Sequence, residues 1–287
     1  MRSLLAAITF ALLIASNISA AYTDRELFVP IAGRGHQADG RLFATTLWVT
    51  NAGTSPAHVT LQFLRAAQTN PSPRGITFVL ETGATRVFDP VGADVLGSDN
   101  ITGALRISSD QPLLATARAA SHLEAEPLSR AVATTFNAMP ARFAIGNGQT
   151  AIAHGVVLGT AATERYKMYV VETAGQSLSY SIAIVSQDGA TIAQKGFYIA
   201  PREERGIDLG DEFPNVSSEH AVVRVRGVNG NGRIIFAGAQ IARESQDSNA
   251  YEMSYTNEPR VRMPMAEVVA YVAVACAIVV AALVYRR

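Results

Sequence analysis

Apolar side chains recur at every second residue along much of this chain, and that period admits one kind of local structure. Phe43, Thr45, Leu47 and Val49 share one face of the stretch Arg41 to Asn51. Val59, Leu61 and Phe63 share one face of His58 to Arg65, and Leu178, Tyr180, Ile182 and Ile184 repeat the pattern far downstream. Successive side chains of an extended strand point to opposite faces, so such segments bury one face and wet the other. Further short strands are expected around Ile76 to Leu80, Leu105 to Ile107, Leu113 to Arg118, Met168 to Glu172, Ile192 to Ile199, Ala221 to Val228 and Arg233 to Ile241. Turn residues separate them. The cluster Asn51 to Pro56 predicts a hairpin between the first two strands. Gln187-Asp188-Gly189-Ala190 and Asn229-Gly230-Asn231-Gly232 favour positive φ and predict two more. Single helical turns at Val91 to Leu96 and Gly210 to Phe213 read as crossovers between sheets.

The two halves of this body can be laid on each other. Arg86-Val87-Phe88-Asp89 matches Arg205-Gly206-Ile207-Asp208, and Ala104-Leu105-Arg106-Ile107 matches Val222-Val223-Arg224-Val225. Trp48-Val49 falls opposite Tyr169-Val170. The period is roughly 120 residues, the size of one sandwich domain. The expected fold is therefore all-β: two tandem antiparallel β-sandwich domains, residues 22–139 and 140–258, joined near Pro140. One large barrel is the competing architecture.

Both ends are apolar. Arg2, the run Leu4 to Ile14 and the small residues Ser19, Ala20 and Ala21 have the layout of a secretory signal peptide, residues 1–21. An uncleaved anchor is the other reading. After a linker at 259–265, Val268 to Tyr285 is unbroken and apolar. As a helix it rises roughly 27 Å, close to the hydrocarbon thickness of a bilayer. A transmembrane helix over 266–285 is expected, with Arg286 and Arg287 as the stop-transfer and cytoplasmic tail, residues 286–287. A processed sorting tail has the same layout. Ala273, Ala277 and Ala281 share one helix face, where small residues allow close approach of a second helix, so a homodimer through that face is one expectation.

Composition narrows the partners. Lys plus Arg and Asp plus Glu both number 24, so no net field recruits nucleic acid. Cys276, the single cysteine, lies in the C-terminal run, so the body has neither disulfides nor a thiolate metal site. Lysines occur at Lys167 and Lys195 alone, which reads as a bias toward arginine.

Particular wording carries a resemblance. An opening Phe28-Val29-Pro30-Ile31-Ala32 leads to a strand ending Trp48-Val49-Thr50-Asn51-Ala52-Gly53, and then to Gly103 to Ser109, Gly-Ala-Leu-Arg-Ile-Ser-Ser. This resembles the tandem immunoglobulin-like repeats of exported bacterial proteins of uncharacterised function. In the second half Tyr169-Val170-Val171-Glu172 replaces the Trp-Val-Thr-Asn wording. The resemblance implies a surface or periplasmic location and transfers no functional residue.

Signatures of chemistry are sparse. The five histidines, His36, His58, His122, His154 and His220, lack the one-turn spacing of a zinc protease. His122 with Glu124 and Glu126 sits in a polar connection, where solvated side chains are the simpler reading. Gly175-Gln176-Ser177-Leu178-Ser179 falls short of a nucleophile elbow. Asp208, Asp211 and Glu212 form the densest acidic cluster, suited to calcium or to capping a turn. Asn100-Ile101-Thr102 and Asn215-Val216-Ser217 match the glycosylation triplet at about chance frequency.

These readings predict no catalytic, cofactor or metal residues. The expected function is a membrane-anchored, extracytoplasmic, non-catalytic binding, adhesion or scaffolding protein for a protein or glycan ligand. Contact would come through the loops Arg34 to Gly40, Gln68 to Gly75 and Asn229 to Gly232, or by strand addition at a sheet edge. Two alternatives stand beside it: an envelope-acting hydrolase, and a membrane-complex subunit associating through its C-terminal helix.

Overall fold

A computed structural model describes residues 22–36, 40–123, 125, 131–159, 163–243 and 248–255. The expected signal peptide, the expected linker, the C-terminal apolar run with Ala273, Ala277 and Ala281, and Arg286 and Arg287 lie outside the described residues. Among those described, no helix is long and apolar enough to cross a membrane.

The first half is built on one long strand. The strands are β1 (Asp24–His36), β2 (Arg41–Asn51), β3 (Ala57–Arg65), β4 (Gly75–Leu80), β5 (Thr85–Phe88), β6 (Ile101–Leu123), β7 (Val132–Asn137) and β8 (Met139–Pro140). They form one sheet ordered β4-β3-β6-β1-β2-β5, with β7 on β6 and β8 on β1. The 23 residues of β6 serve two layers. Gly103 to Ser109 pairs with β3, and Leu113 to Leu123 pairs with β2. Leu113 to Arg118 is thus no separate strand. Pro112 falls at the handover, after the β3 ladder has ended and before the β2 ladder begins, where its missing N–H breaks neither ladder.

The expected hairpin between β2 and β3 does not form. Both strands lean on β6, at different stretches, and the cluster at Asn51 to Pro56 carries the chain from one layer to the other. The alternating residues meet between the layers. Leu47, Val49, Val59, Leu61, Phe63, Leu105 and Ile107 form one buried cluster. Each such side chain contributes about 1.5–3 kcal/mol by leaving water.

The second half holds two separate sheets. Its strands are β9 (Thr150–Leu158), β10 (Glu164–Glu172), β11 (Leu178–Val185), β12 (Thr191–Ile199), β13 (Glu204–Asp208), β14 (Ser218–Gly230), β15 (Ile234–Ala242), β16 (Ser248–Glu252) and β17 (Ser254–Tyr255). The sheets are ordered β13-β10-β15-β16 and β12-β11-β14-β9-β17. β10 lies between β13 and β15 as β2 lies between β5 and the second stretch of β6. β14 lies between β11 and β9 as the first stretch of β6 lies between β3 and β1.

β11 and β12 make the expected hairpin, with Gly189 at φ +87° in the turn. β14 and β15 do not pair; they belong to different sheets. The glycines between them serve close approach, and Gly230 also takes a φ of +116°. A Cβ on Gly232 would stand 2.4 Å from the carbonyl oxygen of Gln176, and one on Gly230 2.5 Å from that of Ser177. Tyr180, Ile182, Ile184, Val223 and Val225 of one sheet, and Tyr166, Met168, Val170 and Phe236 of the other, are buried. The described chain is all-β, antiparallel in these ladders and sandwich-like, with single helical turns at Ala93–Leu96 and Leu209–Glu212.

The described residues up to Ser254 group into one compact unit, because a polar seam joins the halves. Asn70 is at its centre and nearly buried. Its Nδ2 donates to the carbonyls of Arg65 (3.0 Å), Gln68 (2.9 Å) and Arg202 (2.8 Å), while its Oδ1 accepts from the Arg65 N–H (3.0 Å). The Asn70 N–H donates to the Pro201 carbonyl at 3.2 Å, and the Ala67 N–H to that of Glu204 at 2.7 Å. Glu26 accepts from Arg106 at 2.7 Å and lies 3.7 Å from Arg202. Thr134 and Ser248 join hydroxyls, and Arg142 reaches Asp24.

Candidate functional site between the two halves

β10 alternates, and its two faces have different fates. Tyr166, Met168 and Val170 point into the sandwich core. Arg165, Lys167 and Tyr169 lie on the other face, which looks toward the first half. The register with β13 sets Tyr169 opposite Gly206, Lys167 opposite Asp208 and Val171 opposite Glu204.

A cavity of about 140 Å³ lies against this face, lined by Ile31, Phe43, Ala66, Thr102, Lys167, Tyr169, Glu204 and Gly206. A second, of about 120 Å³, shares Ile31, Phe43, Lys167 and Tyr169 with it and extends to Arg165, Ser121, Thr134, Phe136 and Ser248. The two form one slot between the halves. Phe136 meets Tyr169 edge-on at 6.3 Å. The slot is open to solvent at Thr102 and Gly206.

Gly206 lies at its open edge, under the Lys167 stem. A Cβ there would lie 3.4 Å from Cε of Lys167 and 3.9 Å from the Tyr169 ring. The Lys167 stem therefore runs across Gly206 toward the Glu204 end, with its ammonium 5.8 Å from the centroid of the Tyr169 ring.

Glu204 is 1% exposed, and its Oε1 has no hydrogen-bond partner. Burial pushes its carboxyl up to about 8; nearby Lys167 opposes the shift and Glu203 adds to it. Burial also pushes the Tyr169 hydroxyl above its ordinary range, and Glu204 reinforces that. At neutral pH the slot thus presents a protonated acid, a lysine, and aromatic and aliphatic walls.

Other buried acids are fully occupied. Glu172 accepts four backbone N–H groups, from Ala174 (2.7 Å) and Arg233 (3.1 Å) at Oε1 and from Gly175 (2.8 Å) and Arg202 (2.9 Å) at Oε2. Glu203 accepts from Ala200 N–H at 2.7 Å and Arg205 at 3.2 Å.

The residues singled out in the sequence fall elsewhere. Asp208 caps a helical turn by accepting from the Gly210 N–H at 3.1 Å, and Glu212 pairs with Lys195. Among the described residues, no group of three or more His, Cys, Asp and Glu is placed to hold a metal ion. His122 bonds through Nδ1 to the Leu123 carbonyl, while Glu124 and Glu126 lie outside the described residues. In the loop Gln68 to Gly75, Asn70 belongs to the seam. Asn229 to Gly232 is a crossover. Arg34 pairs with Asp99 at 3.5 Å, and residues 37–39 of its loop lie outside the described residues. The sequence reading passed over Glu204 and Lys167. The available signal was a lysine in a chain almost devoid of them, placed between Tyr166 and Met168 on a strand.

No family model matches the chain, and no curated protein matches it. A solved structure, that of Thermotoga maritima 1070, is similar over 40% of this chain and 91% of its own, at 14% identity and a TM-score of 0.29. A likeness that distant carries no argument about fold or function.

Proposed function

We propose that this chain is an extracytoplasmic, non-catalytic binding or scaffolding protein, made of two tandem immunoglobulin-like sandwiches and held to a membrane by its C-terminal apolar run. The observation that carries this reading is the seam. Asn70, Arg202, Glu26 and Ala67 tie the halves through part-buried side-chain bonds and backbone bonds. Two sandwiches locked in this way form a rigid platform, which suits presentation of a surface to a partner. The apolar ends support the location: an export signal before the body and a stop-transfer run behind it.

Protease shaving of spheroplasts expressing the full chain tests the location. The body is expected to be digested from outside, leaving a membrane-embedded fragment of about 3–4 kDa, the mass of a single span with its flanks. A body protected until the cells are lysed overturns the proposal.

A further inference from the structure

The slot between the halves brings together groups that the seam does not use. Glu204 is a carboxyl with a buried, partnerless oxygen at one end of a cavity of about 140 Å³. Leaving such an atom without a partner costs about 1–3 kcal/mol, so the fold retains it against a standing penalty. Lys167 lines the same cavity and reaches toward Glu204 across the bare backbone of Gly206. Ile31, Phe43 and Tyr169 line the same cavity.

We propose that this slot binds a small zwitterion of the amino-acid type, with its amine on Glu204 and its carboxylate on Lys167. The two ionisable groups that line this cavity from β10 and β13 are chemically opposite, and so must be the two ends of the ligand. A simple cation would satisfy Glu204 but meet the lysine. A simple anion would satisfy Lys167 but meet the carboxyl. The apolar walls favour a short methylene chain between the charged ends. A cavity of this volume holds several waters or one such molecule.

The charged and titratable groups around Glu204 give the binding a proton signature. Lys167 favours its ionisation and Glu203 opposes it; Asp208 and Arg165 act on neighbouring Tyr169; and the first half lines this cavity with Ile31, Phe43, Ala66 and Thr102, which do not titrate. At pH 7 the Glu204 carboxyl is mostly protonated. An ammonium group arriving beside it favours the carboxylate, so its proton leaves to the buffer.

Calorimetry on the full chain in detergent tests this, with glycine, β-alanine, γ-aminobutyrate and 5-aminovalerate as probes, and acetate and propylamine as single-ended controls. At least one amino acid is expected to bind saturably, at least tenfold more tightly than either control. Its heat should differ between phosphate and Tris buffers in the sense of proton release. Glu204→Gln should abolish the buffer dependence, and Lys167→Met should weaken binding tenfold or more. Melting curves of both variants report whether they fold, and Gly206→Val, which puts a side chain against the Lys167 stem at the edge of the slot, gives an independent loss of binding. Absence of binding by all four amino acids, which means a slot filled by water only, overturns the proposal. So does a control that binds as tightly, or an amino acid whose binding survives all three substitutions.

Discussion

Asn51 and Glu172 perform the same task at the ends of β2 and β10, with different chemistry. Each is the last residue of its strand and nearly inaccessible, and each accepts the backbone N–H two residues ahead: Gly53 at 2.8 Å for Asn51, Ala174 at 2.7 Å for Glu172. Asn51 also donates, to the carbonyls of Ser55 (2.8 Å) and Leu80 (3.0 Å). Glu172 only accepts, and its second oxygen reaches Arg202 N–H beside the seam. An amide can satisfy a turn that presents both carbonyls and N–H groups. A carboxylate suits one that presents N–H groups alone.

Glu172→Ala removes the acceptor of four part-buried backbone donors and is expected to cost about 3–5 kcal/mol. Asn51→Ala loses fewer bonds and is expected to cost about 2 kcal/mol. Urea midpoints of the two variants, compared at constant slope, check the order. Equal losses would show that the turn at Glu172 relaxes to water.

Asn70→Ala removes the hydrogen bond from its side chain to the Arg202 carbonyl together with those to Arg65 and Gln68. A global loss of about 1–3 kcal/mol is expected. Faster amide exchange should be concentrated at Arg65 to Asn70 and Arg202 to Glu204. Exchange that rises evenly over both sheets would mean that the seam is not a separate unit of stability.

Much of the architecture is legible in the sequence, and the misses have physical causes. Period-two alternation located β2, β3 and β11 and their buried faces, because burial on one face is a local pattern, but it left β7, β9 and β16 unmarked. It did not locate pairing partners. The turns at Asn51 to Pro56 and Asn229 to Gly232 have hairpin chemistry, yet both are crossovers between layers. A glycine needed for close approach, such as Gly232, looks the same in a sequence as one needed for positive φ. The slot was invisible for a related reason. Arg165, Lys167 and Tyr169 alternate outward from β10 and read as a solvated face, until the first half covers part of it. Ala66, Ile31 and Phe43, all distant in sequence, line the cavity beside Glu204.

The two glycines Gly232 and Gly206 should therefore respond oppositely to substitution. A Cβ on Gly232 meets the carbonyl oxygen of Gln176 at 2.4 Å, which is backbone and cannot step aside. Gly232→Ala is expected to destabilise by about 2 kcal/mol or more. A Cβ on Gly206 meets Lys167 at 3.4 Å, an ordinary contact with a flexible stem, and β13 is an edge strand. Gly206→Val is expected to change stability by less than about 1 kcal/mol, since a β-branched residue suits a strand. Thermal melts of both variants, read beside circular dichroism, distinguish the cases.

Glu204 sets a pH dependence of definite sign. Its carboxyl titrates at about 8 in the folded chain and near 4.5 as a free side chain. Below the lower value both states hold the proton, and the residue leaves stability unchanged with pH. Between the two values the unfolded chain has released the proton while the folded chain keeps it, so stability falls as pH rises, by about 1.4 kcal/mol per pH unit. Above about 8 both states are ionised and the loss levels off at a few kcal/mol. Glu204→Gln carries no titrating proton. It is expected to match the wild type near pH 4.5 and to exceed it by a few kcal/mol at pH 8, with the gap opening through the interval. Urea unfolding of the two proteins from pH 4.5 to 9 measures that gap. Parallel curves would mean that Glu204 is ionised throughout and finds a partner in the slot.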